Sequence, residues 1–218
     1  MRVHRKLLCL SVLILSSAYA VQAQWVPATA KTRETLETWK EGKLEKVDHK
    51  EGVFFRTSDG STLRYWTSVN GDDKLGGDGE MTDNRTLMQY SVNMRHKYFY
   101  EMGKLPEPLT PLVVTTSSAP NPASTDKVIE GLNCHCSPAF VQWQNGRREQ
   151  IGENCRATDY DLEVRSDHKV TQNGITRHVV VELFDINVGA EPDPSLFDLQ
   201  KNGAAVFKQK APENPPNP

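Results

Sequence analysis

The residues of this sequence best suited to chemistry are thiols and imidazoles in its second half. They are Cys134, His135, Cys136, Cys155, His168 and His178. Three thiolates with one imidazole suit zinc or another soft metal. The Cys-x-Cys spacing differs from the Cys-x2-4-Cys spacing that is usual in zinc sites, so a disulfide between Cys155 and one of the paired cysteines is favoured. The weaker metal candidates are Cys134, Cys136, Cys155 and His135.

An acidic loop at 70–80 offers oxygen ligands. Its carboxylates are those of Asp72, Asp73, Asp78 and Glu80. Such loops can bind calcium, but the order of an EF-hand loop is absent, and a solvated loop is favoured. Serine-hydrolase, zinc-protease, nucleotide and dinucleotide signatures are also absent. We therefore predict neither a catalytic residue nor a cofactor, although an active site assembled from distant residues is left open.

Aromatic side chains are the remaining candidates for binding. They are Phe55, Tyr65, Trp66, Tyr90, Tyr98, Tyr100 and Trp143. In most proteins such residues fill the core, but a curved open sheet must leave some of them lining its concavity. A wide apolar concavity is the default hypothesis for a ligand site.

The first 23 residues have the organisation of a signal peptide. Arg2, Arg5 and Lys6 precede a short apolar run at 7–15, and small residues follow. This pattern predicts cleavage after Ala23, or after Ala20 as the alternative. The mature chain would then be periplasmic or secreted, a compartment in which disulfides form by default.

The net charge argues against a nucleic-acid binder, and the hydropathy argues against a transmembrane segment in the mature chain. Without the three basic residues of the predicted signal, the net charge changes from −2 to −5. A general nucleic-acid binder would instead carry a basic face. After the signal, no apolar run approaches the length of a transmembrane helix.

Period-two alternation and turn signals at intervals of 8–12 residues predict a mainly β fold. We expect a curved antiparallel sheet resembling a half-barrel, with one short amphipathic helix at 32–39. The run at 179–184 is apolar on both parities and predicts a central strand. Val181 and Phe184 should be buried on its opposite faces.

The composition divides the chain into five segments. A β domain begins at 24–104 after the signal peptide at 1–23. Prolines mark 105–126 as a linker or a crossing loop. The β domain resumes at 127–210, and the proline-rich tail at 211–218 should be disordered.

Three motifs in the second half resemble those of a group of uncharacterised secreted bacterial proteins. They are the strand end Ile-x-Gly-x-x-Cys at 129–134, the Gly-Arg hairpin at 146–149 and a strand that runs into Pro-Asp-Pro-Ser-Leu-Phe at 186–197. Hairpins at 59–60 and 83–90 look similar too. The group resembles the half-barrel fold of bacterial lipoprotein-carrier proteins.

The resemblance implies a curved sheet around an apolar concavity and pairs Cys134 with Cys155, which leaves Cys136 as the spare thiol. It favours a non-catalytic periplasmic or secreted β protein. Such a protein would bind a lipid, a lipoprotein-like apolar ligand or an envelope partner. The alternative is a cysteine-dependent metal-binding or redox protein.

Overall fold

The structure is a computed structural model that describes residues 25–110, 124–143, 146–198 and 205–208, the last range by its backbone alone. The predicted signal peptide and the predicted disordered tail lie outside these residues. Most of the predicted proline-rich linker, residues 111–123, also lies outside them.

Strands dominate the described chain. They are β1 (Ala28–Lys40), β2 (Lys43–Arg56), β3 (Thr62–Val69), β4 (Asp78–Asp83), β5 (Met88–Asn93), β6 (Tyr98–Lys104), β7 (Thr125–Ile129), β8 (Leu132–Gln142), β9 (Arg148–Ala157), β10 (Leu162–Gln172), β11 (Ile175–Val188) and β12 (Ala205–Lys208). Two short 3-10 helices, Asp73–Leu75 and Pro194–Phe197, interrupt this pattern.

All twelve strands belong to one sheet, in the order β12-β6-β5-β4-β3-β2-β1-β11-β10-β9-β8-β7. Eleven strands form a curved, unclosed antiparallel sheet. The short β12 pairs in parallel with β6 at one edge. The prediction of a mainly β fold with a curved antiparallel sheet is therefore confirmed.

The predicted helix at 32–39 is wrong, because these residues lie within β1. Backbone groups of β1 pair with β2 on one side and with β11 on the other. Two long ladders outweigh the weak helical preference of an eight-residue segment, and the threonines in it favour strands. Gly42, with a φ of 76°, serves the tight turn into β2 rather than a helix end.

The two faces of the sheet are covered differently. On β3, Arg64 faces a groove, whereas the neighbouring Leu63 and Tyr65 pack into an apolar cluster on the opposite side. We call these sides the groove face and the covered face. Phe197 packs into the cluster of the covered face, which places the described segment after β11 over that face.

A second apolar cluster lies where β1, β2 and β11 meet β8–β10. Its buried members are Ala28, Ala30, Cys134, Cys136, Cys155, Ala157, Leu162, Val164 and Leu183, with Phe54 packed against them. Several of these side chains reach the groove. We call it the joining cluster, because it joins the two arms of the sheet. The first arm consists of β1–β6, and the second, the far arm, consists of β7–β11.

The strand at 179–184 is interior, since β11 lies between β1 and β10. The prediction that Val181 and Phe184 are buried is wrong, because both are only half-buried. Val181 lines the open groove. The Lys31 ammonium and the Arg33 guanidinium lie over the Phe184 ring at 5.9 and 5.2 Å from its centroid and shield part of it from solvent.

Candidate functional site

A cleft of about 250 Å³ opens on the groove face between β2–β4 and β10–β11. The residues that form its floor are apolar: Phe54, Leu162, Val164, Val181 and Leu183. Three of these, Leu162, Val164 and Leu183, are buried in the joining cluster. The half-buried Phe54 and Val181 carry this apolar surface out to solvent. The floor therefore offers a partly exposed apolar strip.

Charged side chains border this strip, and carboxylates accompany the arginines. The pairs are Arg64 with Glu80, Arg156 with Asp161 at 2.6 Å, and Arg165 with Glu182 at 3.3 Å. Opposite charges this close together cancel most of each other's field at a distance. The border is thus polar without a strong net sign, which suits the exit of a polar headgroup more than capture of a bare ion.

One end of the groove is closed by a buried arginine. Arg56 is 3% exposed and donates hydrogen bonds to the carbonyl oxygens of Val26, Tyr160 and Asp161 at 2.8–3.0 Å. Its guanidinium also lies 5.1 Å from the centroid of the Trp25 ring. Burial lowers the pKa of Arg56, but a guanidinium remains protonated in proteins. Arg56 thereby fixes the N-terminal segment and the β9–β10 turn to β2.

Beyond Arg64 and Glu80 the groove continues into a second depression of about 360 Å³. Its wall includes Trp66, whose ring lies 5.3 Å from the Lys50 ammonium and 5.8 Å from the Arg64 guanidinium. The Arg64–Glu80 pair borders both depressions. The two depressions therefore form one groove with an ion pair at its middle.

The structure does not bring the seven predicted aromatic residues together. Phe55, Tyr65 and Tyr90 pack on the covered face. Tyr98 and Tyr100 contact each other on β6, and Trp143 donates to Glu149 on the far arm. Trp66 alone among the seven lines the groove described above. Its role in binding stays a prediction.

Sequence reasoning missed the five residues of the floor. Phe54 stands next to the chosen Phe55, and their alternation places one on each face. Periodicity shows that two faces exist, but it does not show which face a later segment covers. That information lies in the path of 190–198 across the sheet.

The cysteine pairing inferred from the resemblance is wrong. The disulfide joins Cys136 to Cys155, which lie directly opposite each other on β8 and β9. Cys134 lies opposite Ala157 and is a buried free thiol, and burial raises its pKa. The antiparallel register decides the pairing, and the spacing of cysteines in a sequence does not report that register.

Loss of this disulfide should destabilise the protein substantially. The bond closes a loop with a sequence separation of 19, which corresponds to about 3 kcal/mol from the restricted unfolded chain. We expect Cys136→Ser to lose that amount in urea denaturation under oxidising conditions. Cys134→Ala should lose about 1 kcal/mol, since it removes one buried sulfur. The assignment would be contradicted if both variants lost the same free energy of unfolding. It would also be contradicted if a reductant still destabilised Cys136→Ser.

The histidines proposed as metal ligands have other partners. His135 lies 2.9 Å from an oxygen of Asp126 in the neighbouring edge strand. His168 contacts the amide oxygen of Asn154 at 2.7 Å. His178 lies between two carboxylates, with Nε2 at 2.9 Å from Asp167 and Nδ1 at 3.2 Å from Glu37.

The acidic loop at 70–80 is more regular than predicted, because it contains the Asp73–Leu75 3-10 helix and the start of β4. Three of its four carboxylates have protein partners. Asp72 accepts from the Lys74 amide, and Asp78 accepts from the Asn93 side chain. Glu80 pairs with Arg64.

Stability should depend on the titration of His178. Burial opposes its protonation, but the hydrogen bonds to Asp167 and Glu37 outweigh burial and raise its pKa. A raised pKa stabilises the fold fully below the unfolded value of about 6.5, and the gain is lost as pH rises through the folded value. The pKa values of Asp167 and Glu37 are lowered, so their contribution is lost on acidification below about pH 4.

We therefore expect this triad to stabilise the protein most between about pH 5 and pH 6. His178→Gln should flatten the fall in melting temperature between about pH 6 and pH 8. His49→Gln is the matched control, because the His49 ring contacts the Thr35 hydroxyl rather than a carboxylate. Thermal melts across this range check the prediction. An unchanged profile in His178→Gln would refute it.

Among the described residues, no helix is long and apolar enough to cross a membrane. No family model and no curated protein matches the chain.

Two bacterial proteins are among the solved structures to which the chain is similar. A DUF1329 family protein from Desulfovibrio piger has a TM-score of 0.34 and 9% identity, and the match covers 78% of this chain and 89% of that chain. A protein from Vibrio parahaemolyticus, described as an outer membrane lipoprotein-sorting protein domain, has a TM-score of 0.31 and 8% identity, with 82% and 91% covered. At these TM-scores and identities the likeness carries no argument about fold, ligand or function.

Proposed function

We propose that this protein is a non-catalytic binding protein of the periplasm or the extracellular space, and that it holds an amphiphile in the groove. The observation that carries this proposal is the unequal cover of the two faces. Phe197 packs over the apolar residues of β3–β6 on one face. On the other face Phe54 and Val181 leave an apolar strip open to solvent.

The chemistry of the groove indicates the class of ligand. An apolar strip gains about 0.8 kcal/mol for each methylene group that it removes from water. The paired charges along the border leave a headgroup in a polar setting without demanding one sign. A lipid or another molecule with an acyl chain satisfies both conditions. The extracytoplasmic location is supported by the signal-like first 23 residues and by the Cys136–Cys155 disulfide.

Titration with a pyrene-labelled fatty acid tests the proposal. We expect saturable binding that unlabelled oleate reverses. Val181→Glu places a charge on the floor and should weaken binding at least about tenfold, equivalent to 1.4 kcal/mol. Ile175→Glu is the matched control on the same strand, because Ile175 is exposed and lies outside the groove.

Val181→Trp provides a second variant in case the charge introduced by Val181→Glu unfolds the protein. It keeps the floor apolar but fills the cleft, and it should also weaken binding. Binding of the probe with equal affinity to wild type and to both folded Val181 variants would show that the groove is not the site.

The alternative class, a cysteine-dependent metal-binding or redox protein, has less support in the oxidised chain. Two of its three thiols are joined in the Cys136–Cys155 bond, and His135 contacts Asp126 instead of completing a ligand set.

A further inference from the structure

The structure assigns a second, redox-dependent site to the far arm of the sheet. We propose that reduction of the Cys136–Cys155 bond creates a zinc site formed by three thiolates and the carboxylate of Glu153. This proposal is independent of the amphiphile groove. It also replaces the histidine of the sequence-based metal hypothesis with a residue that the sequence alone did not indicate.

Three of the four ligand atoms are already close together. The sulfurs of Cys136 and Cys155 and a carboxylate oxygen of Glu153 all lie within 4.8 Å of one another. Glu153 and Cys155 are two residues apart on β9, so their side chains share one face. In the part of the chain that the structure describes, this is the one cluster of three such atoms.

Cys134 supplies the third sulfur. It lies two residues before Cys136 on β8, and the two sulfurs therefore share a face. Cys134, Cys136 and Cys155 belong to the same buried cluster. Three sulfurs and one oxygen match the four-coordinate sites that zinc prefers, with thiolate as the favoured ligand.

A cation already occupies the position beside the carboxylate. Lys127 lies opposite Cys134 in the β7–β8 ladder, and its ammonium forms an ion pair with Glu153. A depression lined by Lys127, Val128 and Cys134 opens to solvent beside the Cys134 thiol. Zinc reaches Cys134 through this depression and displaces the Lys127 ammonium from the Glu153 carboxylate.

The disulfide controls the site because a bonded pair of sulfurs cannot supply two thiolates. A dithiol that attacks the bond is itself oxidised to a disulfide, and its two hydrogens pass to the sulfurs of Cys136 and Cys155. Zinc then displaces the thiol protons, which leave to solvent. In the oxidised chain Cys134 and Glu153 alone remain as ligands.

Zinc titration of the purified full chain tests this proposal, before and after reduction with a phosphine, which is oxidised to its oxide with oxygen from water. We expect one zinc per reduced chain and affinity lower by at least about a hundredfold in the oxidised chain. Cys134→Ser should weaken binding to the reduced form at least about tenfold. Glu153→Gln should also weaken it, whereas His135→Ala and Glu149→Gln should not.

A second measurement separates a folded site from unfolded thiols. Zinc should raise the melting temperature of the reduced protein, since a ligand of the folded state stabilises it by mass action. Equal affinity of the oxidised and reduced chains would overturn the proposal. So would unchanged binding in Cys134→Ser, loss of binding in His135→Ala, or binding without a rise in melting temperature.

Discussion

Replacement of Phe197 by alanine should cost about 3–5 kcal/mol of stability, the range for removal of a fully buried phenylalanine. Phe197 is 3% exposed and packs with Leu63, Met81 and Phe99 on the covered face. Its short 3-10 helix begins at Pro194, which cannot continue a ladder, and Asp193 caps it by accepting from the Ser195 amide. The side chain therefore serves as the main apolar contact of a segment that has little regular structure of its own.

Urea denaturation of Phe197→Ala measures this effect, and Phe140→Ala is the matched control. Phe140 is 43% exposed, so its replacement should cost less than about 1 kcal/mol. A similarly small loss in Phe197→Ala would mean that residues 194–197 do not cover the sheet. The distinction between the two faces, on which the proposed function rests, would then fail with it.

Replacement of Arg56 by methionine should be comparably severe. Three carbonyl oxygens, those of Val26, Tyr160 and Asp161, would lose the donor that now satisfies them. A buried acceptor left without a partner costs about 1–3 kcal/mol, so we expect a loss of 3 kcal/mol or more. The same change should loosen the N-terminal segment, because Arg56 contacts both Val26 and Trp25.

Two further variants isolate the cause. Arg56→Lys keeps the charge but lacks the planar fork of donors, and it should be intermediate. Arg33→Met removes an arginine from an exposed pair with Glu182 and should cost less than about 1 kcal/mol. An Arg56→Met protein as stable as Arg33→Met would show that the carbonyl contacts contribute little. Chemical denaturation followed by tryptophan fluorescence makes the comparison directly.

Local signals in the sequence were sufficient for most of the fold. The Asn173-Gly174 pair has φ values of 52° and 77°, and it connects β10 to β11 as a tight turn. Period-two alternation predicted a mainly β fold, and the apolar run at 179–184 predicted the interior strand β11. Each of these signals depends on neighbours in the chain, which the sequence displays.

Features that depend on distant partners could not be predicted. Residues 32–39 have a weak helical pattern, and only the flanking strands β2 and β11 make them a strand. The choice between Cys134 and Cys136 depends on the register of β8 against β9. The groove depends on which face the segment at 190–198 covers. The deciding contacts for the strand at 32–39 and for the groove include residues far apart in the sequence. For the cysteines, the deciding factor is which of two residues, two positions apart on β8, lies opposite Cys155.

The ladder between β1 and β11 has a consequence for how the chain reaches this structure. Ala28 pairs with Val188, so the ladder joins opposite ends of the described chain, whereas every other antiparallel pair links consecutive strands. Each arm is a meander that can form early from nearby residues. Closing the long loop between β1 and β11 carries the larger entropic cost. We therefore expect the seam between the arms to form last, and until then each arm exposes an unpaired strand edge that is open to aggregation.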